Sequence, residues 1–297
     1  MVEEGPISAS GVSGTGNGDW DVVIAPARPW WRLDLGELWR YRDLLRELVV
    51  RDLTAVYKQT ILGPIWVVVQ PLITSITFAI VFGLIAKMSS PGIPGLLFYM
   101  SAVVPWSFFA SVINKTAATL MANAPLMTKV YFPRLIPPLS SACSAGFTFL
   151  VQLLFFFVFA LAYRFGGSYP WAPGIALLWL PVLLILLTML AFGVGLIVAA
   201  LTTRYKDLNF LISFAVQLLM YASPVIFPLS RLEPGSKAYT FIAANPMTPV
   251  IEGFRGALLG TEMNWGSLLY SFAVGAVVLL FGLALFQRAQ RSFADVV

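Results

Sequence analysis

Six stretches of this sequence run without a formal charge for longer than a bilayer is thick. Between Lys58 and Lys87 lie 28 uncharged residues, between Lys87 and Lys115 27, between Arg134 and Arg164 29, and between Arg164 and Arg204 39. Asp207 and Arg231 enclose 23 more, and Glu262 and Arg288 enclose 25. A spanning helix needs about 20 apolar residues, so all six intervals qualify. The longest opens with Gly166-Gly167-Ser168-Tyr169-Pro170, which is turn chemistry, and it therefore holds a single helix. The expected spans are 62–86, 96–114, 137–162, 172–200, 209–228 and 266–286.

Composition agrees with this reading. Charged residues make up 11% of the 297, less than half of the about 25% that soluble domains carry. A hydrophobic share of 59% excludes a disordered chain, which needs low hydrophobicity. Long unbroken apolar blocks exclude a membrane barrel, whose strands alternate apolar and polar residues. The expected fold class is an all-α polytopic membrane protein with six transmembrane helices. An N-terminal amphipathic interfacial helix and short helices between spans five and six complete it. With both termini inside, 14 of the 19 basic residues fall on inside segments, so the positive-inside rule selects an N-in, C-in arrangement. The first ten residues hold acids and no basic lead into an apolar run, so no cleavable signal peptide is expected.

The expected organisation is a flexible tail over 1–29, an interface helix over 30–58, a six-span domain over 59–290 and a cytoplasmic tail over 291–297. The tail is rich in Gly, Ser and Pro. Asp34 with Glu37 reads as a capping box, and Leu38, Tyr41, Leu45, Leu48, Val49, Leu53 and Val56 recur at helical spacing. Glu47 precedes Arg51 by four residues, a favourable surface pair. The loop Asn114–Pro138 has three basic residues, no acids and four prolines, leaving room for one or two helical turns near Pro125 to Tyr131. Its apolar side chains need a cover. The outer segment Arg231–Trp265 reads as two short helices broken at Asn245-Pro246, able to dip into the bundle where protein covers their backbone.

Several chemistries are excluded. The chain has no histidine, so a His general base, a His-ligated metal and a His-containing triad are impossible. Its one cysteine, Cys143, is expected as a small packing residue. No GxxxxGK[ST] phosphate loop occurs. No clearly placed acid lies within a span, where an ion-coupled transporter places one. The polar residues of the spans are mild: Thr74, Ser75, Thr77, Gln152, Ser213 and Gln217, with the two glutamines expected to bond across helices. Spans without an energy site and a loop helix without a cover point to one subunit of a larger machine, driven by a partner.

Five stretches, in order, resemble the transmembrane permeases of polysaccharide-export ABC transporters, the O-antigen, capsule and teichoic-acid group. They are Arg51 to Trp66 with Gln70-Pro71-Leu72; Thr128-Lys129-Val130-Tyr131-Phe132-Pro133-Arg134; Tyr205-Lys206-Asp207-Leu208; Ser223-Pro224-Val225-Ile226; and Asn245-Pro246-Met247 with Ile251-Glu252-Gly253-Phe254-Arg255. The likeness covers about residues 35 to 290. It implies a homodimer in the bacterial inner membrane, paired with ATP-binding subunits that hold ATP and Mg, so that this chain has no cofactor and no ATPase site of its own. The implied substrate is a polyprenyl-pyrophosphate-linked glycan. Asn123, Pro125, Leu126, Lys129, Val130, Phe132, Pro133 and Arg134 would form the element coupled to the ATPase, and Arg51, Tyr57 and Lys58 a lateral entrance for the lipid pyrophosphate. Tyr99, Trp106, Phe108 and Phe109 are candidate channel rings, and Asn245, Pro246, Glu252 and Arg255 would shape an outer gate. Alternatives are export of teichoic acid or of a small lipid or drug, and, in a different class, a membrane glycan-processing enzyme.

Overall fold

The computed structural model describes residues 35–58, 65–88, 92–127, 132–172, 174–202 and 207–293. The expected tail, the Asp34 cap and residues 128–131 of the loop lie outside that set. Every element among the described residues is a helix.

The interface segment forms two helices, α1 (Leu35–Arg40) and α2 (Arg42–Tyr57), where the periodicity suggested one. The chain leaves the helix at Tyr41, whose φ of −94° and ψ of 20° lie in the bridge region. Arg51 binds Asp52 at 2.9 Å instead of the expected Glu47. Leu48 of α2 is buried against Phe132 and Ile136, with Leu44, Leu45 and Leu126 around them. The amphipathic face of α2 therefore docks on the chain itself.

Five helical stretches are long and apolar enough to cross a membrane: Trp66–Ile85, Gly95–Ala122, Ile136–Phe165, Ile175–Thr202 and Trp265–Gln290. The first is α3 (Trp66–Phe78), continued over Ala79–Ile85 as a π-helix. The next two are α4 (Gly95–Ala122) and, after the four-residue α5 (Ala124–Met127), α6 (Ile136–Phe165). A 3₁₀ turn at Ile175–Trp179 leads into α7 (Leu180–Thr202). The fifth expected span is shorter than its uncharged interval: α8 covers only Leu208–Tyr221, 14 residues. At 1.5 Å per residue that is about 21 Å, less than the roughly 30 Å of a hydrocarbon core. Two short helices, α9 (Lys237–Ala244) and α10 (Met247–Leu259), precede α11 (Trp265–Phe293), and the break between them falls at Asn245-Pro246 as expected.

Side-chain contacts join the helix ends in two separate sets. Arg51 donates to Asn123 at 3.0 Å, and Arg134 donates to the Gln290 carbonyl. At the other end Arg231 donates to the Lys87 carbonyl at 3.1 Å, and Trp171 Nε1 to the Leu258 carbonyl at 2.7 Å. We call these the basic end and the far end. Successive spans alternate between them.

Packing separates the helices by role. α4 touches α3, α6, α7, α8 and α10 and is the buried centre. α7 and α11 pack along their lengths because glycines let the backbones meet: a Cβ at Gly193 would sit 2.8 Å from Leu279 Cα, and one at Gly282 would collide with the Gly193 carbonyl. On α6, Cys143, Phe147, Leu150, Leu154, Val158, Leu161 and Phe165 are exposed at helical spacing, a stripe for lipid. Cys143 is thus on the outer stripe and not a packing residue.

Candidate functional site

A cavity of about 740 Å³ lies between α3, α4, α6 and α8. Each helix turns a ladder of polar residues toward it, one per turn. Gln70, Thr74 and Thr77 come from α3; Ser107, Ser111 and Asn114 from α4; Thr148 and Gln152 from α6; Ser213 and Gln217 from α8. Aromatic rings sit among them: Trp66, Phe78, Trp106, Phe108, Phe149 and Tyr221. Trp66 and Ile73 in this wall are 53% and 56% exposed, so one side of the cavity is open. α3 and α4 run antiparallel. Trp66, Asn114 and Lys115 therefore lie toward the basic end, and Phe78 and Val103 toward the far end.

A proline in this wall has a physical consequence. Pro71 lies inside α3 and has no N–H, which frees the carbonyl four residues earlier. That carbonyl belongs to Val67, and Gln152 Nε2 donates to it at 3.0 Å. The cross-helix bond expected of Gln152 is thus present. Its Oε1 is buried without a hydrogen-bond partner among the described residues, leaving an acceptor in the cavity wall. Gln217 lines the cavity. Hydroxyls, amides and aromatic faces together suit a ligand with many hydroxyls and apolar C–H faces.

The candidate rings divide. Trp106 and Phe108 are in the cavity wall, and Phe108 packs edge-on to Phe149, whose far side meets Phe254 at 5.8 Å. Phe109 packs beside Trp106 at 5.3 Å, and Tyr99 is wholly buried between Phe78 and Phe98. Neither Phe109 nor Tyr99 is among the cavity-lining residues. The ladders that make the wall polar follow i, i+4, i+7 spacings in the sequence, and Gln70, Ser107, Ser111, Asn114 and Thr148 join the polar span residues expected from it.

At the basic end the structure joins one expected entrance residue to the expected coupling element. Asn123 ends α4, and its carbonyl accepts from Leu126 N and Met127 N, both at 3.0 Å, which builds α5. Its side-chain Oδ1 accepts from Arg51, and its Nδ2 donates to Thr119 O at 3.0 Å. Phe132 is 5% exposed, covered by α2 of the same chain. Leu126 is half-buried in the same cluster and Pro125 is exposed. Pro133 and Arg134 are half-buried beside it. Lys129 and Val130 lie outside the described residues. So does the Tyr57 side chain, whereas Lys58 is exposed just past α2.

At the far end three of the four expected gate residues, Asn245, Glu252 and Arg255, converge on one segment, and Pro246 is tied to α11. Past Tyr221 the chain runs on without α-helix through Leu229, and its backbone polar groups need partners where water is scarce. Asn245 Nδ2 donates to Ala222 O at 3.3 Å and to Ser223 Oγ at 2.9 Å. Arg255 Nη2 donates to Val225 O at 2.9 Å and Nη1 to Phe227 O at 3.4 Å. Glu252 Oε1 accepts from Leu229 N and from Arg255 Nη1, both at 3.0 Å. The guanidinium also stacks over Phe98 at 4.2 Å and is 1% exposed. Asn245 Oδ1 accepts from Met247 N at 2.9 Å, and the Pro246 carbonyl accepts from Ser271 on α11 at 2.7 Å. Next to this clamp, Tyr169 reaches the Leu259 carbonyl at 3.4 Å, and burial holds its phenol above the ordinary tyrosine range, so it stays a donor.

A chain of membrane-length helices around an open polar groove belongs to the class of polytopic membrane proteins. The sequence profile described as "ABC-2 type transporter" matches residues 43–259, and the chain belongs to that family. It is similar to "O-antigen export system permease protein RfbA" of Klebsiella pneumoniae, 27% identical over 254 residues, 86% of this chain and 95% of that protein. The protein of the same description from Myxococcus xanthus is 26% identical over 261 residues, 87% and 97% of the two chains. "Polysialic acid transport protein KpsM" of Escherichia coli is 23% identical over 250 residues, 82% and 93%.

Proposed function

We propose that this chain is the membrane permease of an ATP-driven exporter that moves a polyprenyl-pyrophosphate-linked polysaccharide from the cytoplasm across the bacterial inner membrane. The observation that carries this reading is the groove: four polar ladders with Trp66, Trp106, Phe108 and Tyr221 between them. Sugar hydroxyls exchange hydrogen bonds with the ladders while sugar C–H faces lie on the rings. The family membership and the relatives named for O-antigen and polysialic acid support the same class of cargo. Two copies would bring two open grooves together.

The driving energy comes from an ATP-binding partner, which holds ATP and Mg and docks at the basic end under an N-in, C-in arrangement. Asn123, Pro125, Leu126, Lys129, Val130, Phe132, Pro133 and Arg134 transmit its motion. The Arg51–Asn123 bond ties that motion to α2, and Arg51, Tyr57 and Lys58 flank the lipid entrance. Deleting the chain in its host is expected to abolish surface polysaccharide while lipid-linked glycan accumulates inside. Unchanged surface glycan would reject the reading. Co-purification with an ATP-binding subunit, and stimulation of its hydrolysis by lipid-linked glycan, is the biochemical form of the test.

A further inference from the structure

Lys115 is the one ionised side chain among the described residues that wall the groove. It is exposed, and no ion pair or hydrogen bond is recorded for it among the described residues. The acid that acts on it electrostatically, Asp52, is already bound by Arg51 at 2.9 Å. A cation without an ion pair among the described residues, turned into a polar groove on a spanning helix, marks a site for a charged ligand.

Its depth narrows the ligand. Counted at 1.5 Å per residue from Gly95, about 30 Å of α4 ends at Lys115. That is the thickness of a hydrocarbon core, so with Gly95 at one boundary Lys115 falls at the other. α4 itself continues to Ala122. Phosphoryl groups of lipids sit at this boundary. A lysine on the lipid face would meet ordinary headgroups, but this one opens into the groove beside polar donors. Next to it, Asn114 uses Oδ1 to accept from Ser213 Oγ at 3.1 Å, and its Nδ2 has no recorded bond among the described residues. Ser111, Gln70 and Thr148 share the wall.

We propose that Lys115, with Asn114, binds a phosphoryl group inside the groove, namely the pyrophosphate that links glycan to lipid. This rests on the export reading above. The ammonium supplies charge and Asn114 supplies a directed N–H, a pairing that suits a dianionic oxygen cluster. The site lies within the path, past the entrance formed by Arg51, Tyr57 and Lys58. It gives the lipid head a place to rest while the sugars fill the ladders.

The test uses the purified transporter with its ATP-binding subunit, in nanodiscs of zwitterionic lipid. Farnesyl pyrophosphate is the probe, farnesol and phosphatidylglycerol the competitors, and calorimetry the readout. The expected result is that Lys115→Gln weakens farnesyl pyrophosphate about tenfold, that Lys115→Arg retains most of the affinity, and that Lys237→Gln at the far end changes nothing. Binding should also weaken with added salt. Equal affinity of Lys115→Gln and wild type overturns the proposal, as does equal binding of farnesol. Phosphatidylglycerol competing as well as the pyrophosphate would assign the site to ordinary lipid and also overturn it. Complementation of the deletion strain separates the two readings. If deletion stops export but Lys115→Gln restores it fully, only the site falls; if deletion leaves export intact, the export reading itself falls.

Discussion

Arg51 at the basic end leaves about half of its side chain in solvent, and Arg255 at the far end leaves 1%. Arg51 holds one carboxylate and one amide on a neighbouring element. Arg255 holds a carboxylate, two backbone carbonyls and the face of Phe98. The same side chain is used once as an adjustable strap and once as a fixed pin. Water can replace a lost bond at Arg51. Nothing among the described neighbours can replace one at Arg255, because its partners are backbone groups of a buried non-helical segment. The basic end, where the proposed partner would dock, is thus held by exchangeable contacts, and the far end by contacts that go together or not at all.

That contrast can be broken most sharply at Arg255. Arg255→Met should destabilise the protein by about 4 kcal/mol, because it removes the cation partner of Glu252 and strands the buried Val225 carbonyl. Thermal unfolding in detergent would show it, and export should fail with the protein poorly retained in the membrane. Phe132→Ala comes next, at about 3 kcal/mol for a buried ring in a smaller cluster. If α2 docks as described, hydrogen exchange in α2 should rise in that variant while α10 stays protected. Gln152→Ala should cost about 1 kcal/mol, since it removes the donor to the Val67 carbonyl that Pro71 leaves free. Pro71→Ala in that background should recover most of the loss, because the helix then satisfies Val67 itself. Arg51→Ala should be the smallest, under about 1 kcal/mol for an exposed pair. It should nonetheless lower stimulation of the partner's ATP hydrolysis more than Arg255→Lys lowers it per unit of protein that remains folded. A Tm loss at Arg51 matching that at Arg255→Met would erase the distinction between strap and pin.

The spans were legible because an uncharged run must be buried somewhere and water is not available to hold its backbone. Their ends were less so. Lys115 marked the end of an interval, and α4 runs on to Ala122, because a lysine facing a polar groove is no barrier to a helix. The fifth interval overran its helix because Ser223-Pro224 ends the α-helical run before charge returns. Tyr99 and Arg255 show what periodicity omits. Tyr99 reads as a candidate channel ring and is buried between Phe78 and Phe98, and Arg255, expected by resemblance to shape an outer gate, is bound to carbonyls of a turn that no pattern placed beside it. Trp106 and Phe108 reach the groove only because α4 has neighbours on every side, which is a property of the packing and not of α4's own sequence. The i, i+4, i+7 ladders could have been read, and would have found the groove directly.

α8 forms part of the groove wall, and its helical length of about 21 Å is short by roughly 9 Å against an ordinary hydrocarbon core. Lipids that lean on this helix must compress or tilt their chains to match it, at a cost of fractions of a kcal/mol per Å. A bilayer around this chain would therefore thin beside α8, along one wall of the groove. A long-chain lipid beside that wall would give up less ordered packing on leaving the leaflet, so under the proposed export reading the short helix would soften the membrane next to the path of the cargo.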